Sequence, residues 1–130
     1  AAGVPVAFGH DCVLDPWYSL GQADMLEVAS MGLHVGLTTS RAGMAEAFDA
    51  VTRVPASILG LEGYGLEPGC KADMVVLQAR DPIEAIRLKA TRLHVIKSGR
   101  VVATTPRQVA TLRLDGRPGA VDGMDYAPPL

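Results

Sequence analysis

The sequence predicts an α/β fold on three observations. A short apolar run over Val4, Val6 and Phe8 leads directly into a polar cluster, His10-Asp11-Cys12. Apolar residues then recur at helical spacing as far as about residue 60, and short β-branched runs follow near residues 74 and 101. A strand, a set of helices and a second set of strands therefore follow one another along the chain.

The composition is that of a soluble globular protein. The chain has 130 residues, of which 48% are hydrophobic and 20% charged, with a formal net charge of −2. Its basic residues are scattered and do not form the basic patch typical of a nucleic-acid-binding protein. No apolar run approaches the roughly 18 residues of a membrane span. Cys12 and Cys70 fit neither a disulfide framework nor a CxxC site, so the cytoplasm is the expected location.

The first predicted element is a buried strand over Val4, Val6 and Phe8. Continuous β-branched and aromatic runs are typical of strands that are covered on both faces. A carboxylate at the carboxyl end of such a strand, here Asp11, is where barrel enzymes keep their chemistry. An aspartate in this position, taken alone, is more often a capping or ion-paired group.

Three helices are predicted between residues 22 and 60. The first covers Gln22–Gly36, with Ser19 and Gly21 as start signals. The second follows Thr38–Arg41, and a shorter helical turn covers Pro55–Leu59. The apolar stripes of the two longer helices consist of Met25, Leu26, Ala29, Leu33, Met44, Ala47, Phe48 and Val51.

A small sheet with one more helix is predicted next. After a loop rich in glycine and proline, Met74–Leu77 is predicted as a buried strand. Asp81-Pro82 starts a helix that ends at about Leu88, because Asp is a favourable N-cap and Pro a favourable first helical residue. This helix is expected to separate the strand from a hairpin.

The last predicted elements are a β-hairpin and one further strand. Leu93–Ile96 and Val101–Ala103 flank a four-residue turn, Lys97–Arg100, which favours a hairpin. Thr111–Leu114 is predicted as a strand. The tail over residues 116–130 has too little apolar content to pack by itself and is expected to lie extended on a surface or to fray.

Three segments carry a resemblance to a known family. The run Val6–Cys12, continued by Asp15–Tyr18, Gly21 and Met25, resembles the eighth barrel strand of the amidohydrolase superfamily and is similar to cytosine deaminase and its triazine-degrading relatives. The segment Tyr64–Leu77, with Gly-x-x-Ala-Asp at its centre, resembles the return of such a chain into a small β-sandwich. A later run, residues 95–102, resembles the closing hairpin of that sandwich.

The resemblance covers about residues 4–105 and implies a domain organisation. Residues 1–62 would contain the last strand and helices of a metal-dependent (β/α)8 barrel, residues 63–115 a β-sandwich segment, and residues 116–130 an extended tail. Because a closed barrel needs roughly 200 residues or more, we expect the chain to be the C-terminal fragment of a larger enzyme. The isolated fragment is predicted to be inactive.

The implied activity is hydrolysis of non-peptide C–N bonds, with deamination of cytosine or a similar cyclic amidine as the expected reaction. In the resemblance, Asp11 is the catalytic residue and a ligand of one divalent metal ion, zinc or iron, whose other ligands would lie on the N-terminal part. His10 is expected to face away from the metal ion, because consecutive strand residues point to opposite faces. His34 and His94 lack ligand partners at suitable spacing and are predicted to be packing or surface residues.

Cys12 and Trp17 are the candidate substrate-binding residues. Trp17 matches an aromatic residue that covers the substrate ring in the cytosine deaminase family, although anchoring of its own loop on the core is an equally weighted alternative. Cys12 stands where cytosine deaminase has a second aspartate, which predicts a different substrate preference. It has no visible base partner, which excludes a nucleophilic role. Asp15 is expected to cap the loop.

Two classes of function follow, an enzyme and a catalytically inactive amidohydrolase-like structural or interaction protein. Asp11 and Trp17 favour the enzyme, and a His-x-His pair on the N-terminal part would discriminate the two. The expected partner is a small heterocyclic substrate, with neither nucleic acid nor membrane. The apolar face of Val4, Val6 and Phe8, together with Met25 and Leu26, is expected to be covered by the rest of the barrel or by other copies of the chain in a homo-oligomer.

Overall fold

A computed structural model describes residues 3–123 of the chain. These residues form four helices and five strands, none of the helices being long and apolar enough to cross a membrane. In chain order the elements are α1 (Met25–Gly36), α2 (Arg41–Ala50), α3 (Arg53–Ile58), β1 (Met74–Leu77), α4 (Pro82–Leu88), β2 (Arg92–Lys97), β3 (Arg100–Thr104), β4 (Ala110–Thr111) and β5 (Ala120–Val121).

Short polar side chains start three of the helices. Asp24 accepts a hydrogen bond from the N–H group two residues later (2.8 Å), and Ser40 and Asp81 accept from the N–H groups three residues later (3.1 and 2.8 Å). Each cap satisfies a donor that has no partner in the first helical turn. The predicted start of the first helix at Gln22 is therefore wrong, because the cap is Asp24 and the helix begins at Met25.

The core lies between α1, α2 and α4 and is built largely of alanine. Ala29, Ala47 and Ala85 are buried, and such small side chains allow the helices to approach closely. Leu26 is only 5% exposed and belongs to this core. The expectation that Leu26 lies on an exposed apolar face is therefore wrong, since α1 packs against both α2 and α4.

The three longer strands form an antiparallel sheet in the order β1-β2-β3. Ser98 and Gly99 connect β2 to β3 with φ values of 49° and 75°, as a two-residue type I′ turn requires. The hairpin and the bounds of Met74–Leu77 are confirmed. The prediction that this strand is buried is wrong, because β1 is an edge strand and leaves Val75 and Val76 exposed.

A buried side-chain amide ties the next segment to the sheet. Gln78 donates from Nε2 to the carbonyl oxygen of Gln108 (2.7 Å) and accepts at Oε1 from the N–H of the same residue (2.8 Å). This pair of bonds reproduces the exchange between two paired strand residues. It fixes the chain just before β4, which pairs antiparallel with β5.

The last elements differ from the sequence-based expectation. The strand predicted over Thr111–Leu114 consists of Ala110–Thr111, and its partner, Ala120–Val121, lies within the tail predicted as extended. The glycine of the turn at residues 115–116 allows the chain to reverse and form this pairing, because Gly116 has φ of 74°. Residues 124–130 of the predicted tail and residues 1–2 at the start lie outside the described residues.

The strand predicted over Val4, Val6 and Phe8 is not formed. Residues 3–10 have no regular secondary structure, and Val4 and Val6 are 72% and 63% exposed. A barrel strand takes its hydrogen bonds from strands on both sides. In the described part of the chain no strand pairs with this segment, so the prediction of a buried strand is wrong for this structure.

Candidate active site

The segment that leads to Asp11 is anchored through Phe8. The N–H of Phe8 donates to the carbonyl oxygen of Ala50 at the end of α2 (2.8 Å). Its ring packs on α1 at Gly32, where an added Cβ would lie 2.5 Å from ring atom Cε2. Only glycine leaves room for the ring, so α1 and α2 together set the position from which the chain continues to Asp11.

Residues 10–21, hereafter the rim loop, close on themselves. The N–H of Leu14 donates to the carbonyl oxygen of Leu20 (3.2 Å), and that of Asp15 donates to the carbonyl oxygen of Tyr18 (3.1 Å). At the base of the loop, Gly21 has φ of 93°, and an added Cβ there would lie 3.1 Å from the ring of His10 and 3.3 Å from that of Tyr18. The rim loop thus has its own internal hydrogen bonds.

Asp15 caps the turn that carries Trp17. Its Oδ1 accepts hydrogen bonds from the N–H groups of Trp17 and Tyr18, both at 2.9 Å. Asp-Pro sequences favour such turns because the aspartate side chain can bind the following backbone. The expectation that Asp15 caps the loop is confirmed.

Leu14 adopts a left-handed backbone conformation within the rim loop. Its φ is 52°, a region that bulky side chains rarely occupy, and its side chain is 79% exposed. Burial of the side chain therefore does not compensate for this conformation. The loop hydrogen bonds on either side hold it, and backbone strain of this kind is concentrated at functional sites.

The groups around Cys12 raise the pKa of its thiol. Its pKa is raised because the thiol donates a hydrogen bond to Asp15, with smaller contributions from partial desolvation and from the negative charge of Asp11. The same hydrogen bond lowers the pKa of Asp15, as do the N–H groups of Tyr18 and Trp17. A protonated thiol is a poor nucleophile, in keeping with the exclusion of that role.

The structure brings the three predicted site residues into one loop with different exposures. Asp11 is exposed, Cys12 is half-buried, and the Trp17 side chain is 88% exposed. Trp17 therefore does not anchor its loop on the core of this chain. His34 and His94 lie on the surface, where their Nδ1 atoms contact the Ser30 carbonyl oxygen and the Thr104 hydroxyl.

The described residues do not by themselves form a metal site. Within residues 3–123, no three His, Cys, Asp or Glu side chains lie together in a way that could hold an ion. A catalytic zinc site normally uses three protein ligands. Among the described residues, Asp11 falls short of that number.

Two grooves lie away from the rim loop. One, of about 370 Å³, runs between Val4, Val6 and the helices α1 and α2. The other, of about 680 Å³, separates the helices from β1, β2 and the loop around Leu66 and has a mostly apolar lining. Residues 10–21 line neither groove, so the rim loop does not open into either of these cavities.

An ion pair next to the rim loop has no local sequence signal. Asp24, which caps α1, receives two hydrogen bonds from the guanidinium of Arg92 in β2, at 2.7 and 2.5 Å. The partners are 68 residues apart. Helical periodicity or turn chemistry could not have found this pair, whereas the Asp-Pro dipeptide does signal the turn at Asp15.

Comparison with known proteins identifies the family of this chain. The amidohydrolase family model matches residues 1–103. N-isopropylammelide isopropyl amidohydrolase of Pseudomonas sp. (strain ADP) is 37% identical over 103 residues, which are 78% of this chain and 25% of that protein. Pterin deaminase of Rhizobium rhizogenes (strain K84 / ATCC BAA-868) is 35% identical over 106 residues, 78% of this chain and 23% of that protein.

A solved structure gives the same result. 5-Methylcytosine deaminase from Klebsiella pneumoniae, crystallised with phosphonocytosine, superimposes with a TM-score of 0.78 and 33% identity over 84% of this chain and 27% of that chain. The chain thus spans about a quarter of the length of the relatives it matches. The match over residues 1–103 includes the rim loop and all but the last residue of the β2–β3 hairpin, and on this evidence the chain belongs to the amidohydrolase family.

Proposed function

We propose that this chain is the C-terminal part of a metal-dependent amidohydrolase that removes an amino group from a small nitrogen heterocycle by hydrolysis. The observation that carries the proposal is the rim loop, which presents an exposed Trp17 five residues after the Asp11-Cys12 pair. Relatives named as deaminases of pterin and 5-methylcytosine support a planar ring as the substrate class. The first candidates are cytosine and similar cyclic amidines.

In the proposal, Asp11 has two tasks. Its carboxylate contributes one ligand to a divalent cation, zinc or iron, whose remaining ligands come from the part of the enzyme outside this chain. The cation, when bound, activates water for attack on a ring carbon. The Asp11 carboxylate, which is an acceptor when ionised, takes up a proton from the attacking water and returns it to the departing nitrogen.

In this proposal, Trp17 and Cys12 contact the substrate and determine which ring is bound. The indole of Trp17 offers a flat apolar surface that covers a planar ring and excludes water from it. Cys12 offers a thiol whose pKa is raised, so at neutral pH it brings no negative charge to the ring. A substrate that needs a carboxylate at this position would be disfavoured, because one of its donors would remain unpaired.

The test is Asp11→Asn in the full-length enzyme, with the release of ammonia measured on cytosine, isocytosine and aminotriazines. Asparagine keeps the shape but removes the negative charge and the basicity, so we expect kcat to fall by roughly a thousandfold or more. Asp115→Asn, in an exposed turn between β4 and β5, is the matched control and should keep the native rate. Near-native turnover by Asp11→Asn would contradict the assignment. A native enzyme inactive on every compound would favour the structural alternative.

The substrate assignment is tested in the same assays by Cys12→Asp. The added carboxylate should change the ranking of kcat/KM among the ring compounds, since the presence or absence of one buried hydrogen bond changes binding by about 1–3 kcal/mol, or roughly 5- to 150-fold. Cys12→Ser, which keeps a neutral donor of similar size, is the control and should preserve the ranking. An unchanged ranking in Cys12→Asp would show that this position does not touch the ring.

A further inference from the structure

We propose that Asp15 is a positioning residue that holds the backbone of Trp17 in one conformation within the rim loop. The contact between Trp17 and the substrate rests on the proposed function, whereas the positioning itself rests on the rim-loop geometry. Asp15 does not need to touch a substrate in this role. It acts through Trp17, which contacts the substrate in the proposed function.

Because Trp17 is exposed, the position of its indole depends on its backbone. Because the indole is 88% exposed, packing against the rest of this chain does not fix it. Its place is set by the Cα position and two side-chain torsions. Asp15 Oδ1 binds the Trp17 N–H at 2.9 Å, and Pro16 restricts its own φ to about −65°, so the backbone on the N-terminal side of the indole has little freedom.

The same carboxylate binds the loop on both sides of the indole. Besides the Trp17 N–H it accepts from the N–H of Tyr18 at 2.9 Å, while the N–H of Asp15 itself donates to the Tyr18 carbonyl oxygen at 3.1 Å. These bonds surround Trp17 with fixed backbone atoms. Loss of the carboxylate would leave both N–H groups without their acceptor and leave the indole on an open loop.

Backbone hydrogen bonds link this turn to the segment that follows Asp11. The N–H of Leu14, three residues after Asp11, donates to the carbonyl oxygen of Leu20 at 3.2 Å. Together with the bond between Asp15 and Tyr18, it closes the loop on both sides of Trp17. These bonds limit the positions that the Trp17 backbone can take relative to Asp11 before any substrate arrives, which lowers the ordering cost of binding.

Trp17 also provides the readout, because it is the chain's only tryptophan. Time-resolved fluorescence anisotropy of the 130-residue chain reports its motion directly, and far-UV circular dichroism verifies that each variant has folded. We expect Asp15→Ala to enlarge the fast component of the anisotropy decay. Asp15→Asn keeps an acceptor oxygen for the two N–H groups and should restore most of the native decay.

Kinetics of the full-length enzyme supply the second readout. Asp15→Ala should raise KM by roughly tenfold, the cost of ordering about one side chain and its loop, while kcat changes by less than about threefold. The control is Asp81→Ala, which removes an aspartate cap of the same kind from the start of α4. It should reduce stability without changing the Trp17 decay or KM.

The two readouts separate the positioning role from the proposed function. A native Trp17 decay in Asp15→Ala, or an equal change in Asp81→Ala, would overturn the positioning role. If Trp17→Ala leaves KM unchanged, the proposed substrate role of Trp17 fails, and the anisotropy comparison still decides whether Asp15 holds the backbone. Restored KM and restored decay in Asp15→Asn would together support the inference.

Discussion

Gly32 lies under the Phe8 ring, and its substitution tests how the segment before Asp11 is held. Gly32→Ala adds helix propensity of about 1 kcal/mol, but the new Cβ would meet the ring at 2.5 Å. Overpacking of this kind typically costs about 1–3 kcal/mol. We therefore expect the free energy of unfolding, measured by urea denaturation, to fall by about 1 kcal/mol.

The partner variant Phe8→Leu provides the control. With the ring removed, Gly32→Ala should no longer destabilise and should give the stabilisation expected from helix propensity, so the two changes should be non-additive in a double-mutant cycle. Additive effects would mean that the ring does not press on α1 in solution. The anchor of the segment that leads to Asp11 would then be the Phe8 N–H alone.

Sequence patterns are informative at single residues where the signal is local. The Asp-Pro dipeptide predicts that Asp15 caps its loop, and the structure confirms it. The roles given to Asp11, Cys12 and Trp17 remain predictions. The left-handed turn at Leu14 has no such signal, because leucine does not indicate that conformation.

Among pairs of elements, the ion pair between α1 and β2 has a pH dependence of known sign. The pKa of Asp24 is lowered, first by its hydrogen bond to Arg92 and then by the N–H of Leu26. As the pH falls, the unfolded chain therefore takes up this proton before the folded chain does. The stabilisation is present above the ordinary aspartate pKa of about 3.9 and is lost as the pH falls through the lowered value.

Asp24→Asn isolates the ion pair from the helix cap. Asparagine caps helices about as well as aspartate, so we expect the variant to keep α1 but to lose less stability than the native chain between about pH 5 and pH 2. Urea unfolding at a series of pH values measures this. Parallel stability curves for the two proteins would show that the bidentate pair does not contribute in solution.

Elements are predictable where their signals lie within a few residues. The helix at Pro82–Leu88 follows from Asp81-Pro82, and the hairpin follows from its Ser98-Gly99 turn. The strand predicted over residues 4–8 is wrong because a strand needs hydrogen-bonding neighbours, which local patterns do not supply. The β4–β5 pairing is missed for a similar reason, since Gln78 holds that segment across 30 residues.

On the scale of the whole molecule, small side chains fill the core while many large apolar ones remain exposed. Val4, Val6, Leu66, Val101 and Val102 are all exposed, in several cases beside the two grooves. Apolar surface of this extent drives association. We expect the purified 130-residue chain to self-associate, and sedimentation velocity over a range of concentrations measures it.

A salt series controls this experiment. Association through apolar surface should strengthen with added sulfate, whereas association through surface ion pairs should weaken as charges are screened. A monomer at every concentration would contradict the expectation that the apolar face is covered by other copies or by the rest of a barrel. The family and its α/β content do not depend on this outcome.

The sequence separation of interacting residues also orders the steps of folding. The Ser98-Gly99 hairpin joins adjacent residues, and hairpins of this size form in about 1–10 μs. The Asp24–Arg92 pair closes a loop of 68 residues and pays a larger closure entropy. We therefore expect substitutions in the Ser98-Gly99 turn to slow folding and Asp24→Asn chiefly to speed unfolding in stopped-flow kinetics, and the reverse pattern would contradict this. By the same measure the rim loop, whose backbone hydrogen bonds join residues three and six apart, can form early, and its attachment to the sheet through Asp24, three residues after the loop, comes later.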